Sequence, residues 1–191
     1  MEMRDSQPPS ASFLQVVLHQ PQIPQNTGSV ARTCAATHTP LHLVEPLGFY
    51  LTDKYLKRAG LDYWPHVDLH VHPDYPSLQR KFPRCRWLYF SARARRPYYD
   101  FPYRPGDCLV FGSETTGLPG EWLESEEKRS LFIPIDRSRV RSINMASAVN
   151  VVLFEAMRQL APSLGVAFEW FPPSEHENFN ACDGARRIMT C

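Results

Sequence analysis

Short apolar runs alternate with polar, helix-compatible stretches along most of the chain. Phe13-Leu14-Gln15-Val16-Val17-Leu18 is the first such run, of the kind a buried parallel strand requires, and it stops at His19-Gln20-Pro21. From Asn26 to Thr37, Val30 and Cys34 fall one turn apart with small Ala31 and Ala35 beside them, which predicts a helix presenting Asn26, Thr27 and Gly28 in its first turn. Leu41-His42-Leu43-Val44 then reads as a second strand, closed by Glu45-Pro46-Leu47-Gly48. This order predicts an α/β fold: a parallel sheet with crossover helices on its faces.

Further along, Leu51 to Gly60 is basic and helix-compatible, Val67 to Val71 reads as a strand, and Tyr75 to Lys81 as a short helix. Trp87-Leu88-Tyr89-Phe90 is another strand, followed by a loop rich in Pro, Arg and Tyr from Ser91 to Gly106. Cys108 to Phe111 and Leu131 to Ile135 are the remaining strands. The last helix is predicted over Asn144 to Leu160, with Val149, Val152, Leu153, Ala156 and Leu160 on its buried face. No internal repeat or second domain is visible. The pattern divides the chain into a tail over 1–12, one domain over 13–160, and a Pro- and Phe-rich extension over 161–191.

Bulk composition narrows the function classes. A chain of 191 residues with 43% hydrophobic and 12% aromatic residues suits a single globular domain rather than a disordered or membrane-spanning one. No run approaches the roughly 18 apolar residues a membrane helix needs. Met1 to Ser12 lacks an apolar stretch behind a basic start, so a secretory signal is not expected and the cytoplasm is the expected location. The five cysteines, at 34, 85, 108, 182 and 191, form no C-x-x-C pair; odd in number and irregular in spacing, they are expected to be reduced thiols rather than a disulfide framework or zinc site. A net charge of +1 announces no nucleic-acid partner by itself. Two arginine clusters, 93/95/96 and 137/139/141, could contact phosphates, but taken alone such clusters are more often solvated loops.

Three segments carry candidate chemistry. Gly112 and Gly117 bracket Ser113-Glu114-Thr115-Thr116 directly after an apolar strand, as a ligand-approaching loop or a plain strand-to-helix turn would. The segment matches neither G-x-G-x-x-G, nor G-x-S-x-G, nor G-x-x-x-x-G-K, which removes the commonest dehydrogenase, hydrolase and NTPase assignments. Arg32 follows Asn26 by six residues, so the two are not aligned along one helix, but both can face the loop side of the sheet from its first turns. Ser142 and Asn144 precede the last helix, where capping alone would explain them.

Taken together, Asn26-Thr27-Gly28 with Arg32, Phe111-Gly112-Ser113-Glu114-Thr115-Thr116-Gly117-Leu118-Pro119, and Arg141-Ser142-Ile143-Asn144-Met145 resemble the three signature motifs of the SPOUT superfamily of knotted RNA methyltransferases, in its ribose 2′-O-methylating branch. Leu56 to Tyr63 and Phe154 to Leu160 look like one subgroup, the small bacterial-type enzymes that methylate the wobble nucleotide of leucine tRNAs. The resemblance covers Phe13 to Leu160.

The resemblance implies a parallel α/β sheet closed by a C-terminal deep trefoil knot that binds S-adenosylmethionine, with no metal. It places the cofactor against Phe90, Gly112, Ile133, Ser142 and Met145. Arg32 would be the catalytic residue at the ribose hydroxyl, with Asn26, Glu114 and Asn144 in support. Arg93, Arg95, Arg139 and Arg141 would contact RNA at a tRNA anticodon loop, and the protein would act as a homodimer. The chain departs from the subgroup at Ser113, Thr116, Ala146 and Ser147, and its Pro134 to Asn144 segment is one residue longer. Alternatives are a 2′-O-methyltransferase for another tRNA or rRNA ribose and a noncatalytic knotted RNA-binding factor.

Overall fold

Strand β1 (Leu14–His19) alternates between two apolar environments, and that alternation sets the layers of the fold. Leu14, Val16 and Leu18 point into one core and Val17 into another. The same split recurs in β4 (Trp87–Phe90) and β6 (Asp107–Phe111), where Leu88, Phe90, Leu109 and Phe111 face the first core and Trp87, Tyr89, Cys108 and Val110 the second. Both sheet faces are therefore buried, as parallel sheets require. The computed structural model describes residues 14–51 and 63–161. The tail over 1–12, Phe13, the helix-compatible stretch after Leu51, the part of the Leu56 to Tyr63 segment before Tyr63, and the extension beyond 161 lie outside the described residues.

The remaining strands are β2 (Leu41–Val44), β3 (Leu69–His72), β5 (Arg96–Pro97) and β7 (Ser130–Phe132). All pair in parallel, in the order β3-β2-β1-β6-β4-β7-β5. Helices α1 (Pro24–Ala36) and α4 (Met145–Leu160) cover the first face, and α2 (Tyr75–Lys81) and α3 (Gly120–Ser125) lie on the second. The five apolar positions expected on the inner face of α4 are all buried. Pro24 opens α1, where its missing N–H would have had no partner inside the helix. Asp74 caps α2 by accepting from the Ser77 N–H.

Four features differ from expectation. The last strand ends at Phe132 rather than Ile135, because Pro134 has no N–H to give a ladder. Helix α3 was not anticipated; it has six residues and no buried one to reveal it. The Pro/Arg/Tyr loop contains β5 and a 3-10 turn at Tyr98–Asp100. The cysteines are also not all free thiols: Cys85 and Cys108 form a disulfide, with Cα atoms 6.3 Å apart. Parallel pairing sets Trp87 opposite Cys108, and so brings Cys85, just ahead of β4, alongside it. Cys34 remains a free thiol, and burial pushes its pKa up to about 12. Among the described residues, no helix is long and apolar enough to cross a membrane.

Candidate functional site

Strands β4 and β6 end side by side, with Phe90 opposite Phe111 in register and their rings stacked at 4.9 Å. Their C-terminal ends open into a cavity of about 470 Å³, where ligands of parallel α/β proteins usually sit. That volume lies in the range of roughly 300–1,000 Å³ typical of small-molecule sites. The walls come from three remote parts of the chain: Ile23 and Asn26 at the start of α1, Phe111 to Gly117 after β6, and a stretch from Leu131 to Ala148 that runs into α4. Phe90 to Arg93 complete the lining.

The glycine loop can be built only with glycine at its base. A Cβ on Gly112 would lie 2.2 Å from the Gly117 carbonyl carbon and 2.3 Å from the Leu118 nitrogen, both backbone atoms that cannot swing aside. Gly117 has φ +69°, a left-handed conformation that costs a side chain strain. Between them, the Gly117 N–H donates to the Ser113 carbonyl at 2.9 Å and the Ser113 and Thr116 hydroxyls lie 2.7 Å apart, closing the loop on itself. Glu114 is left projecting away from the loop toward α1.

A continuous chain of hydrogen bonds joins the three segments. The Glu114 carboxylate accepts from the backbone N–H groups of Gln22 (2.8 Å) and Ile23 (3.3 Å), satisfying donors at the entrance to α1, where no side chain caps. It also accepts from Asn26 Nδ2 at 2.9 Å. Asn26 Oδ1 accepts from Asn144 Nδ2 at 2.9 Å, and Asn144 Oδ1 caps α4 by accepting from the Ala146 and Ser147 N–H groups. Each amide orientation is forced. Helix N–H groups can only donate, so Asn144 must turn its oxygen to them and its nitrogen to Asn26; Asn26 must then give its own nitrogen to Glu114.

The cavity gathers all five residues expected to hold a cofactor: Phe90, Gly112, Ile133, Ser142 and Met145. It also gathers Asn26, Glu114 and Asn144. Of the four arginines expected to contact RNA, Arg93 and Arg141 line it, whereas Arg95 pairs with Glu127 at 3.4 Å and Arg139 with Asp136 at 3.2 Å on exposed ground. Arg93 is engaged as well, donating to the Leu118 carbonyl. Arg32 does not line the cavity. Six residues after Asn26 it has turned about 600°, roughly 120° off that residue's direction, and it stands exposed on the flank of α1. There its guanidinium carbon lies 4.9 Å from the centre of the Tyr63 ring, whose hydroxyl donates to the Gly28 carbonyl at 2.9 Å. Sequence patterns gave no hint of the Gln22 and Ile23 backbone donors, because a main-chain group has no residue signature.

A profile of the SpoU rRNA Methylase family matches residues 14–154. A protein of Synechocystis sp., described as a candidate tRNA (cytidine(34)-2′-O)-methyltransferase, is 50% identical over 158 residues, covering 80% of this chain and all of that one. The tRNA (cytidine(34)-2′-O)-methyltransferase of Burkholderia ambifaria is 44% identical over 147 residues, covering 75% of this chain and 94% of its own length. Among solved structures, one determined for insight into 2′-OH methylation of C/U34 on tRNA superposes with a TM-score of 0.75 at 49% identity, over 80% of this chain and 99% of that one.

Proposed function

Because the chain belongs to the SpoU rRNA Methylase family, we propose that it is an S-adenosylmethionine-dependent tRNA 2′-O-ribose methyltransferase. Its target in this reading is the wobble nucleotide, position 34, of leucine tRNAs, either cytidine or a modified uridine. One observation supports the reading most: the Glu114, Asn26, Asn144 chain ties three remote segments around a single cavity. A purely structural turn and two plain helix caps would not need to share one network. The match over residues 14–154 and the names of the two relatives supply the reaction class.

The cavity fits a cofactor with an apolar adenine and a charged methionine end. Phe90, Leu131, Ile133 and Met145 offer apolar walls, and Gly112 brings strand-end backbone into the lining. S-adenosylmethionine, when bound, supplies an electrophilic methyl group on a good leaving group. The tasks left to the protein are orientation of a ribose and removal of its 2′-hydroxyl proton. A guanidinium is a poor base, so Arg32 serves best by contacting the nucleotide phosphate and the 2′-oxygen and lowering the energy of developing negative charge, while the hydroxyl proton passes to solvent water. Asn26 and Asn144, locked in orientation, hold the surrounding rim. Arg141, at the mouth, is placed for a phosphate.

The same reading includes the C-terminal trefoil knot, the cytoplasm as location, one domain over 13–160, and a homodimer. Arg32 does not line the cavity of its own chain, which suits an active site completed by a partner. Val151 and Phe154 are exposed on the outer side of α4, and a hydrogen bond between Thr33 and Asn150 at 2.9 Å joins α1 to α4 beside Arg32 and Val151. An apolar strip next to a basic side chain is what such pairing would bury.

The test is transfer of labelled methyl from S-adenosylmethionine to total tRNA from a strain lacking its own wobble methylase, with the modified nucleotide mapped by mass spectrometry. A 2′-O-methyl at position 34 of leucine tRNAs is expected. Methylation at another ribose would keep the enzyme class and move the substrate; absence of both transfer and cofactor binding would overturn the proposal.

A further inference from the structure

We propose that Tyr63 is a positioning residue for Arg32, holding its guanidinium in the orientation that the methyl-transfer reaction needs; this rests on the function proposed above. Arg32 stands exposed on α1, and its planar head needs support to keep one orientation there. Tyr63 supplies support by placing its ring under the guanidinium, with the guanidinium carbon 4.9 Å from the ring centre. A cation over an aromatic face at an exposed site shifts a side-chain population by roughly two- to fivefold.

The ring is itself anchored. Its hydroxyl donates to the Gly28 carbonyl at 2.9 Å. In an α-helix that carbonyl is the acceptor of the Arg32 backbone N–H, four residues on, so the ring is pinned to the same turn that carries the arginine. Tyr63 also leads into the 3-10 turn Trp64–His66, and Tyr63 and Trp64 pack edge to face at 6.4 Å and against the core under α1. Tyr63 therefore has a fixed position on its chain side, on its hydroxyl side and at its neighbouring ring.

Stacking leaves a guanidinium's donors usable. One face lies on the ring while the N–H groups, which lie in the guanidinium plane, still point outward from its edges. A phosphate oxygen and a ribose 2′-oxygen are acceptors suited to those edges. Lysine at position 32 could not be held this way, since an ammonium is a point charge on a flexible stem with no plane to stack.

Three readouts test the inference: kcat and KM for tRNA and S-adenosylmethionine, calorimetric affinity for S-adenosylmethionine, and the 15N resonance of the Arg32 side-chain Nε–H, which a ring face shifts upfield. Tyr63→Leu is expected to lower kcat about two- to fivefold, leave cofactor affinity within twofold, and abolish the ring-induced shift. Tyr63→Phe keeps the ring and the fold, and is expected to retain the shift and most of kcat. The inference is overturned if Tyr63→Leu leaves kcat unchanged, if Tyr63→Phe falls as far as Tyr63→Leu, or if cofactor affinity drops in step with kcat. Wild-type protein that transfers no methyl group would instead bring down the methyltransferase proposal, and this inference with it; an active wild type with an insensitive Tyr63 removes only this inference.

Discussion

Asn144 Nδ2 donates to Asn26 Oδ1 at 2.9 Å across 118 positions of sequence, joining the first turn of α1 to the cap of α4. Asn26 is almost wholly buried and passes the chain on to Glu114. Asn26→Asp preserves shape but sets a second carboxyl group 2.9 Å from Glu114, and two carboxylates that close cannot both ionise freely. The variant is expected to lose about 1–3 kcal/mol of stability at pH 7.5. The loss should shrink at pH 5.5, because a shared proton restores one hydrogen bond and the folded state then binds more protons than the unfolded. Urea denaturation at the two pH values checks this; a loss independent of pH would contradict the network.

The glycine loop separates steric from conformational demand. Gly112→Ala forces a Cβ into backbone atoms at 2.2 and 2.3 Å, while Gly117→Ala meets nothing within 4 Å and suffers only its φ of +69°. Overpacking costs about 1–3 kcal/mol and a left-handed alanine roughly 1–2 kcal/mol. Gly112→Ala should therefore lose S-adenosylmethionine binding in calorimetric titration because the loop must move, whereas Gly117→Ala should lower the melting temperature with binding largely kept. Equal binding by both variants would count against Gly112 as the base of the site.

Histidines at the β2/β3 edge set an acid limit. His42 Nδ1 and His72 Nε2 lie 3.0 Å apart, and the His42 and His70 rings stack at 4.9 Å. Burial is the main cause lowering the His42 pKa to about 3 and the His72 pKa to about 4, with Lys81 and the neighbouring histidines adding to it. Folded pKa values below the unfolded value of about 6.5 mean that the unfolded chain takes up protons first. Stability is then full above about pH 6.5 and falls as pH drops toward 4, by up to about 1.4 kcal/mol per pH unit for each histidine. Equilibrium unfolding between pH 7.5 and 4.5 should show this slope, and a His42→Asn variant should show a shallower one.

Two arginines four and six positions beyond the end of one loop proline's neighbour Ile135 should behave differently toward tRNA. Arg141 lines the cavity and forms no ion pair among the described residues, while Arg139 is held by Asp136. Under the proposed function, Arg141→Ala should raise the Kd for tRNA by about tenfold and reduce the slope of log K against log salt by close to one, the signature of a lost phosphate contact. Arg139→Ala should change Kd less than threefold. Filter-binding titrations at two or more salt concentrations distinguish them, and identical behaviour would remove Arg141 from the interface.

The sequence pattern reveals local structure well and spatial order poorly. Apolar runs locate β1, β2, β4 and β6 to within a residue or so, because a strand buried on both faces has to be apolar throughout. The buried face of α4 follows from its spacing alone. The sheet order does not: nothing in the residues says that β6 lies between β1 and β4, and so nothing announces that Cys85 meets Cys108. Asn26, Glu114 and Asn144 came from motif resemblance, and the cavity brings them together. Arg32 came from the same resemblance, yet its orientation depends on helical phase and on Tyr63, which no motif reports.

The strand order has a consequence for how the site breathes. β6 is the middle strand of seven, and β4 is beside it, so the cavity floor rests on backbone amides flanked by ladders on both sides. Their hydrogen exchange should require opening of nearly the whole domain, whereas the wall between Ile133 and Asn144 has no ladder to hold it and should exchange from local fluctuations. A ligand settling there would slow exchange along that wall and leave the floor almost unchanged.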